Sequence, residues 1–66
     1  MPIDDLTILG NMLRAARKEK NFTQQQLADE SHISIKEIAD IEKGRRNPSY
    51  LIMKTLAKVL HFSLVR

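Results

Sequence analysis

Hydrophobic residues recur every three or four positions along most of this chain, which is the period of a helix with one buried face. Short polar segments separate the periodic stretches, and a hydroxyl residue stands at each restart. The pattern predicts an all-α fold of four helices that follow a flexible N-terminal tail at residues 1–6. The helices are predicted at residues 7–20, 24–30, 35–43 and 50–60, with Thr7 or Asp5 as the first cap.

Two of the predicted helix starts share one pattern, eleven residues apart. Thr23 lies three residues before Gln26, and Ser34 lies three residues before Glu37. Each pair predicts a capping box, in which the hydroxyl accepts from the N–H three residues on and the Gln or Glu side chain reaches back. Gly44 ends the helix that Ser34 begins, so the segment predicts a helix-turn-helix. Apolar pairs flank both boxes as hydrophobic staples: Phe22 with Leu27, and Ile33 with Ile38.

The turn between these two helices is predicted at Ser31, His32 and Ile33. Such a short turn often requires a residue at positive φ, where glycine is the easiest choice and histidine is tolerated. We therefore predict a left-handed conformation for His32, and the same conformation for Asn21 at the end of the first helix. A pH-sensing or metal-binding role for His32 is the weaker alternative, because the other histidine, His61, is far along the chain with no ligand spacing.

The first and fourth helices each carry an apolar stripe that should build the core. Gly10 lies inside the first helix, where glycine costs about 1 kcal/mol relative to alanine. Close packing against a neighbouring helix would compensate for this cost, and tolerance near a frayed helix start is the alternative. The predicted buried residues are Leu9, Met12, Leu13 and Ala16 in the first helix, and Tyr50, Met53, Leu56, Ala57 and Leu60 in the fourth.

Leu51 and Ile52 are apolar residues that the buried face of the fourth helix is not expected to cover. They predict a dimer interface, because a monomer would expose both side chains. Packing on the N-terminal tail through Ile3 and Leu6 is an equally weighted alternative.

Composition limits the kinds of site that the chain can build. Its 66 residues predict a single domain spanning residues 1–66. The chain has no cysteine, so a disulfide framework and a thiolate metal site are excluded. No cofactor and no metal are expected. A net charge of +3 favours a polyanionic partner. The basic residues cluster at the end of the first helix and around Gly44.

The sequence also indicates where the protein acts and argues against catalysis. No apolar run approaches the roughly 18 residues of a membrane span, and the start of the chain lacks a basic signal-peptide region. A soluble, cytoplasmic protein without a membrane partner is therefore expected. The chain has no cysteine nucleophile, glycine-rich phosphate loop or paired-carboxylate cleft. The Ser, His and Asp residues near positions 29–34 are better explained as a cap, a turn and surface, so no enzyme is predicted.

The third helix has one apolar face and one polar face. At 100° per residue, Ile38 and Ile41 define its buried direction. The ordinary interpretation of the opposite face is a solvated surface, but the capped preceding helix and the basic loop behind it favour contact with a DNA groove. This face carries Lys36, Ala39, Asp40 and Lys43.

These residues resemble the lambda repressor/Cro-like helix-turn-helix of the XRE family over about residues 9–63. The resemblance implies a small four-helix domain with the helix-turn-helix at helices 2 and 3, or a five-helix domain whose last helix is missing. The matching positions are Thr23, Gln24, Leu27, Ala28, Ile33, Ser34, Ile38, Ile41, Glu42, Gly44, Asn47, Pro48 and Ser49.

The resemblance implies functional roles for residues on both motif helices and the following loop. It implies that Gln24 contacts the DNA backbone and braces the recognition helix, and that Arg17 and Glu42 form a structural ion pair. Glu42 lies at the edge of the buried face, where a guanidinium could bind the carboxylate with two hydrogen bonds. Candidates for base contact are Ser34, Ile35, Lys36, Ala39 and Asp40. Candidates for backbone contact are Gln24, Gln25, Lys43, Arg45, Arg46 and Asn47.

Three features depart from the family pattern. His32 replaces the usual turn glycine. Ile35 stands where base-contacting residues are often polar, so a hydrogen bond to a base is excluded there, although contact with a thymine methyl is open. The fifth helix that commonly follows the positions of Phe62 and Ser63 is missing. The chain is therefore either a fragment of a longer regulator or completed across a dimer.

The predicted function is sequence-specific binding of double-stranded DNA by a transcriptional regulator, either a repressor or a Cro-like switch protein that acts as a homodimer. Lys36 could donate to guanine and Asp40 could accept from cytosine, or Asp40 could orient Lys36. The rival hypothesis is an antitoxin-type or other protein-interaction module with the same fold, in which Leu51 and Ile52 would contact a protein partner.

Overall fold

A computed structural model of the protein describes residues 4–61, and these residues form four α-helices and no strand. The helices are α1 (Asp5–Glu19), α2 (Gln24–Ser31), α3 (Ile35–Glu42) and α4 (Tyr50–Leu60). The predicted all-α class is confirmed. None of the helices within residues 4–61 has the length and apolar character needed to cross a membrane.

The first helix begins earlier than predicted. Asp4 is its N-cap, and the Asp4 carboxylate accepts a hydrogen bond from the Thr7 backbone N–H at 2.8 Å. The helix therefore starts at Asp5, so the predicted tail at residues 1–6 is wrong for residues 5 and 6. Residues 1–3, and with them Ile3 as a packing partner, lie outside the described residues.

The other boundaries differ from the prediction by one residue at most. Ser31, predicted in the turn, is the last residue of α2, while Lys20 and Lys43 are C-caps rather than helical residues. The predicted left-handed residues are found, with φ of 61° at Asn21 and 59° at His32.

The two predicted capping boxes differ in the structure. In α2 the box is complete, because Thr23 Oγ1 accepts from Gln26 N–H at 3.0 Å and Gln26 Oε1 accepts from Thr23 N–H at 2.8 Å. In α3 only half of it forms: Ser34 Oγ accepts from Glu37 N–H at 3.1 Å, but the Glu37 carboxylate lies beside the Arg46 guanidinium instead of the Ser34 N–H. The prediction of a complete second box was therefore wrong.

The core lies where all four helices meet, and it departs from the predicted stripes at three residues. Met12 is 58% exposed because α1 turns Leu13 and Gly10 inward, which leaves Met12 about 100° away. Tyr50 is 66% exposed at the first position of α4. Ile52, predicted to be left uncovered, packs against the core cluster. The buried apolar residues are Leu13, Leu27, Ala28, Ile38, Ile41, Met53, Leu56, Ala57 and Leu60.

Helix α1 approaches α3 so closely that it admits no side chain at Gly10. A Cβ built on Gly10 would lie 2.5 Å from the carbonyl oxygen of Ile41 and 2.6 Å from that of Glu42. Both atoms are backbone, so a neighbour cannot move aside by changing its rotamer. This contact is the close packing that the sequence suggested, and it fixes the distance between α1 and the end of α3.

We expect Gly10→Ala to destabilise the protein by about 2 kcal/mol, because the added methyl group overpacks a rigid contact. Intrinsic helix propensity alone would give the opposite sign, a gain of about 1 kcal/mol. Urea unfolding followed by circular dichroism would measure the difference. Asn11→Ala, at the exposed neighbouring position in the same helix, is the control and should not lower stability. A Gly10→Ala variant at least as stable as the wild type would contradict the steric argument.

Candidate nucleic-acid interface

The Glu42 side chain, which is fully buried at the end of α3, is the centre of a polar cluster between three helices. Arg17, from α1, binds it with two parallel contacts: Nε donates to Oε2 at 2.7 Å and Nη2 donates to Oε1 at 3.1 Å. The third nitrogen, Nη1, donates to the backbone carbonyl of Phe22 at 2.8 Å. Arg17 therefore joins α1, the α1–α2 turn and the end of α3.

Two further side chains complete this cluster. Gln24, the first residue of α2, donates from Nε2 to Glu42 Oε1 at 3.1 Å. Arg14 lies with Nε 3.5 Å from the same oxygen, and its side chain is 44% exposed. Helices α1 and α2 are thereby both bound to the carboxylate at the end of α3. Gln24 braces α3 through this contact with Glu42.

The cluster determines the protonation state of Glu42. Burial raises the pKa of the Glu42 carboxyl, but hydrogen bonds from Arg17 and Gln24 and the charges of Arg17 and Arg14 outweigh it, so the pKa lies below its usual value. A lowered folded-state pKa means that the carboxylate stabilises the fold above the pKa of the unfolded chain. This contribution is lost as the pH falls through the folded-state pKa.

The predicted base-contacting residues lie along one side of α3 and its cap. Ser34, Ile35 and Lys36 are exposed, and Ala39 and Asp40 are half-buried behind them. We call these five residues the recognition surface. Lys36 Nζ lies 3.3 Å from Asp40 Oδ2, one helical turn apart, so the exposed lysine is paired with the acid on its own helix. Ile35, 41% exposed, presents an apolar surface at the start of the helix.

The loop that follows α3 is held against that helix by two contacts. Gly44 adopts a φ of 74°, which turns the chain, and the Arg45 N–H donates to the Asp40 carbonyl at 2.9 Å. Arg46 Nε lies 3.3 Å from Glu37 Oε2, a buried oxygen that accepts no hydrogen bond from the described residues. The loop is thus anchored to α3 through both its backbone and a side chain. Its exposed polar residues include Lys43, Arg45, Arg46 and Asn47.

One candidate for backbone contact is turned along its own helix. The Gln25 side chain donates from Nε2 to Asp29 Oδ1 at 2.9 Å, one turn further on. Gln24 and Gln25 are therefore held differently, because Gln24 is hydrogen-bonded to α3 and Gln25 is hydrogen-bonded within α2.

A structural residue that the sequence did not single out is Ser31. Its hydroxyl is buried, donates to the Leu27 carbonyl at 2.6 Å and accepts from the Ile33 N–H at 3.3 Å. The hydroxyl satisfies backbone groups on both sides of His32, where the chain turns. A serine four residues after a buried leucine at a helix end could have indicated this role.

Within residues 4–61 no group of three or more His, Cys, Asp or Glu side chains is placed to hold a metal ion.

A family model described as "Helix-turn-helix" matches residues 13–66. The chain belongs to this helix-turn-helix family. The match, with relatives named as repressors and transcriptional regulators, confirms the predicted membership of the XRE, lambda repressor/Cro-like group.

Two repressors are among the relatives of this helix-turn-helix protein. It is 40% identical over 52 residues to the immunity repressor protein of Bacillus phage phi105, and this alignment covers 79% of this chain and 36% of the relative. It is 41% identical over 56 residues to the competence pilus inhibition repressor of Acinetobacter baylyi, covering 85% of this chain and 51% of the relative. The chain thus spans between about a third and a half of these curated relatives.

The fold is similar to that of a solved controller protein. The crystal structure of the restriction-modification controller protein C.AhdI from Aeromonas hydrophila matches with a TM-score of 0.86 and 32% identity, covering 89% of each chain. The helix-turn-helix scaffold around the Glu42 cluster is therefore shared with a protein of nearly the same extent.

We expect Glu42→Gln to lower the free energy of unfolding at pH 7 by about 3 kcal/mol, because Arg17 would keep a buried charge without a carboxylate partner. The difference from the wild type should shrink as the pH falls below about 4.3, the ordinary glutamate value, because the unfolded wild-type chain then binds a proton at Glu42 while the folded carboxylate, whose pKa is lowered, stays ionised. Urea unfolding at several pH values would measure it. Glu30→Gln, an exposed acid on α2, is the matched control and should change stability by less than about 0.5 kcal/mol. Equal effects of the two substitutions at pH 7 would disprove the role given to Glu42.

Proposed function

We propose that this helix-turn-helix protein binds double-stranded DNA at specific sequences and regulates transcription, as a repressor or a Cro-like switch. The observation that carries the proposal is the arrangement of α3, whose apolar side is fully buried at Ile38 and Ile41 while Ser34, Ile35 and Lys36 are exposed at its start. The Glu42 cluster holds the other end of this helix. A short helix fixed in this way is suited to entering a major groove with its first residues.

The recognition surface offers chemistry that distinguishes base pairs. Lys36 can donate to guanine O6 or N7, and Asp40 can accept from cytosine N4. These two side chains are paired in the free protein. When Lys36 contacts a base, its ammonium group either leaves Asp40 or binds Asp40 and the base together. Ile35 can make an apolar contact with a thymine methyl group.

The exposed residues of the α3–α4 loop supply contacts to phosphates. Lys43, Arg45 and Arg46 carry positive charge and Asn47 carries a neutral amide donor. Anchoring of this loop by Asp40 and Glu37 would fix the register of the domain along the duplex. Binding of this kind requires no catalysis, and we place it in the cytoplasm.

Two variants test this function directly. We expect the wild type to bind duplex DNA with an affinity that falls steeply as salt rises, because several phosphates are neutralised. Lys36→Ala should lower the affinity for the selected operator by about tenfold or more while affecting random duplex less, since a specific base contact is worth about 1–3 kcal/mol. Lys58→Ala, the same charge change on an exposed residue of α4, is the control and should leave the operator preference unchanged. The measurement is fluorescence anisotropy over a range of salt concentrations, with an operator obtained by selection from a random pool.

Absence of salt-dependent binding to any duplex would disprove the DNA-binding function. It would favour the rival, an antitoxin-type or other protein-interaction module. An equal loss for operator and random duplex on Lys36→Ala would leave DNA binding intact but would remove Lys36 from base recognition.

We also propose that the protein acts as a twofold homodimer through Leu51. This side chain is 71% exposed next to Tyr50, which is 66% exposed, so the start of α4 presents adjacent apolar surface. Ile52 contributes less than the sequence suggested, because it packs on the core. A dimer would place two copies of α3 in successive major grooves about 34 Å apart.

Sedimentation equilibrium would test the dimer. We expect Leu51→Ser to weaken dimerisation by about tenfold or more, because burial of a leucine side chain contributes about 1.5–3 kcal/mol. Met12→Ser, at an exposed apolar residue of α1, is the control. A wild type that stays monomeric at all concentrations, or a larger effect of Met12→Ser, would contradict an interface at Leu51.

A further inference from the structure

One oxygen of the Glu42 carboxylate, Oε1, has three donor groups near it, one more than its two lone pairs can accept. Oε1 of Glu42 receives the Arg17 Nη2 and the Gln24 Nε2, both at 3.1 Å, and these two donors fill the two lone-pair sites of that oxygen. The Arg14 Nε is the third group near Oε1 and lies furthest away, at 3.5 Å. Arg14 is therefore the member of the cluster that is most easily shared with another anion.

The charge of the cluster leads to the same residue. Arg14 and Arg17 bring two positive charges to the single negative charge of Glu42, so one positive charge is not neutralised within the cluster. The Arg17 side chain is 11% exposed, and the Arg14 side chain is 44% exposed. The excess charge is thus accessible to solvent at Arg14 rather than at Arg17.

Gln24 has a donor left over at the same place. Its amide nitrogen carries two hydrogens, and the contact with Glu42 uses one of them. Since Gln24 Nε2 and Arg14 Nε lie close to the same Glu42 oxygen, the two nitrogens are separated by no more than the sum of those two short distances. A single phosphate group is large enough to accept from both, with the terminal guanidinium nitrogens forming a charge-assisted contact.

We propose that Arg14 and Gln24 together bind one phosphate of the DNA backbone, with Glu42 as the residue that positions both donors. This rests on the proposed DNA-binding function and adds to it a contact from α1, outside the helix-turn-helix and outside the α3–α4 loop. The contact fixes the register of α1 and α2 on the duplex. Glu42 positions these phosphate-binding donors and also holds the end of α3, so the same carboxylate orients the recognition surface.

The test is the salt dependence of binding to duplex DNA. Arg14→Ala should lower the slope of log affinity against log salt by about 0.9, the value for one lost phosphate contact. It should weaken binding to operator and random duplex by the same factor, because a phosphate carries no sequence information. Lys58→Ala removes one positive charge from an exposed site on α4 and should leave the slope unchanged. Urea unfolding of Arg14→Ala checks that the half-exposed substitution leaves the domain folded.

A double-mutant cycle tests whether both side chains bind the same phosphate. The double variant Arg14→Ala, Gln24→Ala should lose less binding free energy than the sum of the losses in the two single variants. If both side chains bind the same phosphate, the first substitution already weakens that contact, so the second has less to remove. Additive losses would overturn the shared site, and an unchanged salt slope in Arg14→Ala would overturn the phosphate contact. If the wild type binds no DNA in a salt-dependent manner, the proposed function itself fails. If the wild type and Lys36→Ala behave as expected and Arg14→Ala does not, only the inference about Arg14 fails.

Discussion

The bidentate pair between Arg17 and Glu42 is the interaction on which the rest of this domain depends. Glu42 is the last residue of α3, and a carboxylate buried there is tolerated only with fixed donors around it. Arg17 supplies two of them and uses its third nitrogen on the Phe22 carbonyl, while Gln24 supplies another from the start of α2. The angle between the two motif helices is therefore set at both ends, by the turn at His32 and by this cluster.

The acidic character of α3 makes such pairing necessary for the DNA contact proposed for this helix. The helix contains one lysine and three acidic residues, an unfavourable charge beside phosphates. Each acid lies next to a cation: Asp40 beside Lys36, Glu37 beside Arg46, and Glu42 beside Arg17. Two of the three cations come from other elements. The positive charge around α3 thus belongs to the assembled surface and not to this helix alone.

Patterns between residues close in sequence predicted most of the helix boundaries and turns. Features that depend on residues distant in sequence could not be predicted in this way. Caps and left-handed residues involve neighbours in sequence, so the starts of α2, α3 and α4 and the conformations of Asn21 and His32 could be predicted. The Glu37 side chain could not, because Arg46 lies nine positions away and competes with the nearby Ser34 N–H for the same carboxylate. The exposure of Met12 follows from the rotation of α1 about its axis, which depends on where Gly10 meets α3.

Gly10, Arg14 and Arg17 form one row along α1, at positions i, i+4 and i+7, and all three meet Glu42. The glycine contacts the Glu42 backbone carbonyl, and the arginines, one and two turns later, contact its carboxylate. A methyl group at Gly10 would move α1 away from α3 at one end of this row, whereas bidentate geometry at Arg17 tolerates little displacement at the other. Steric fit and charge pairing are therefore one constraint on the α1–α3 distance. The absence of a side chain at Gly10 is what lets the arginine side chains reach their carboxylate.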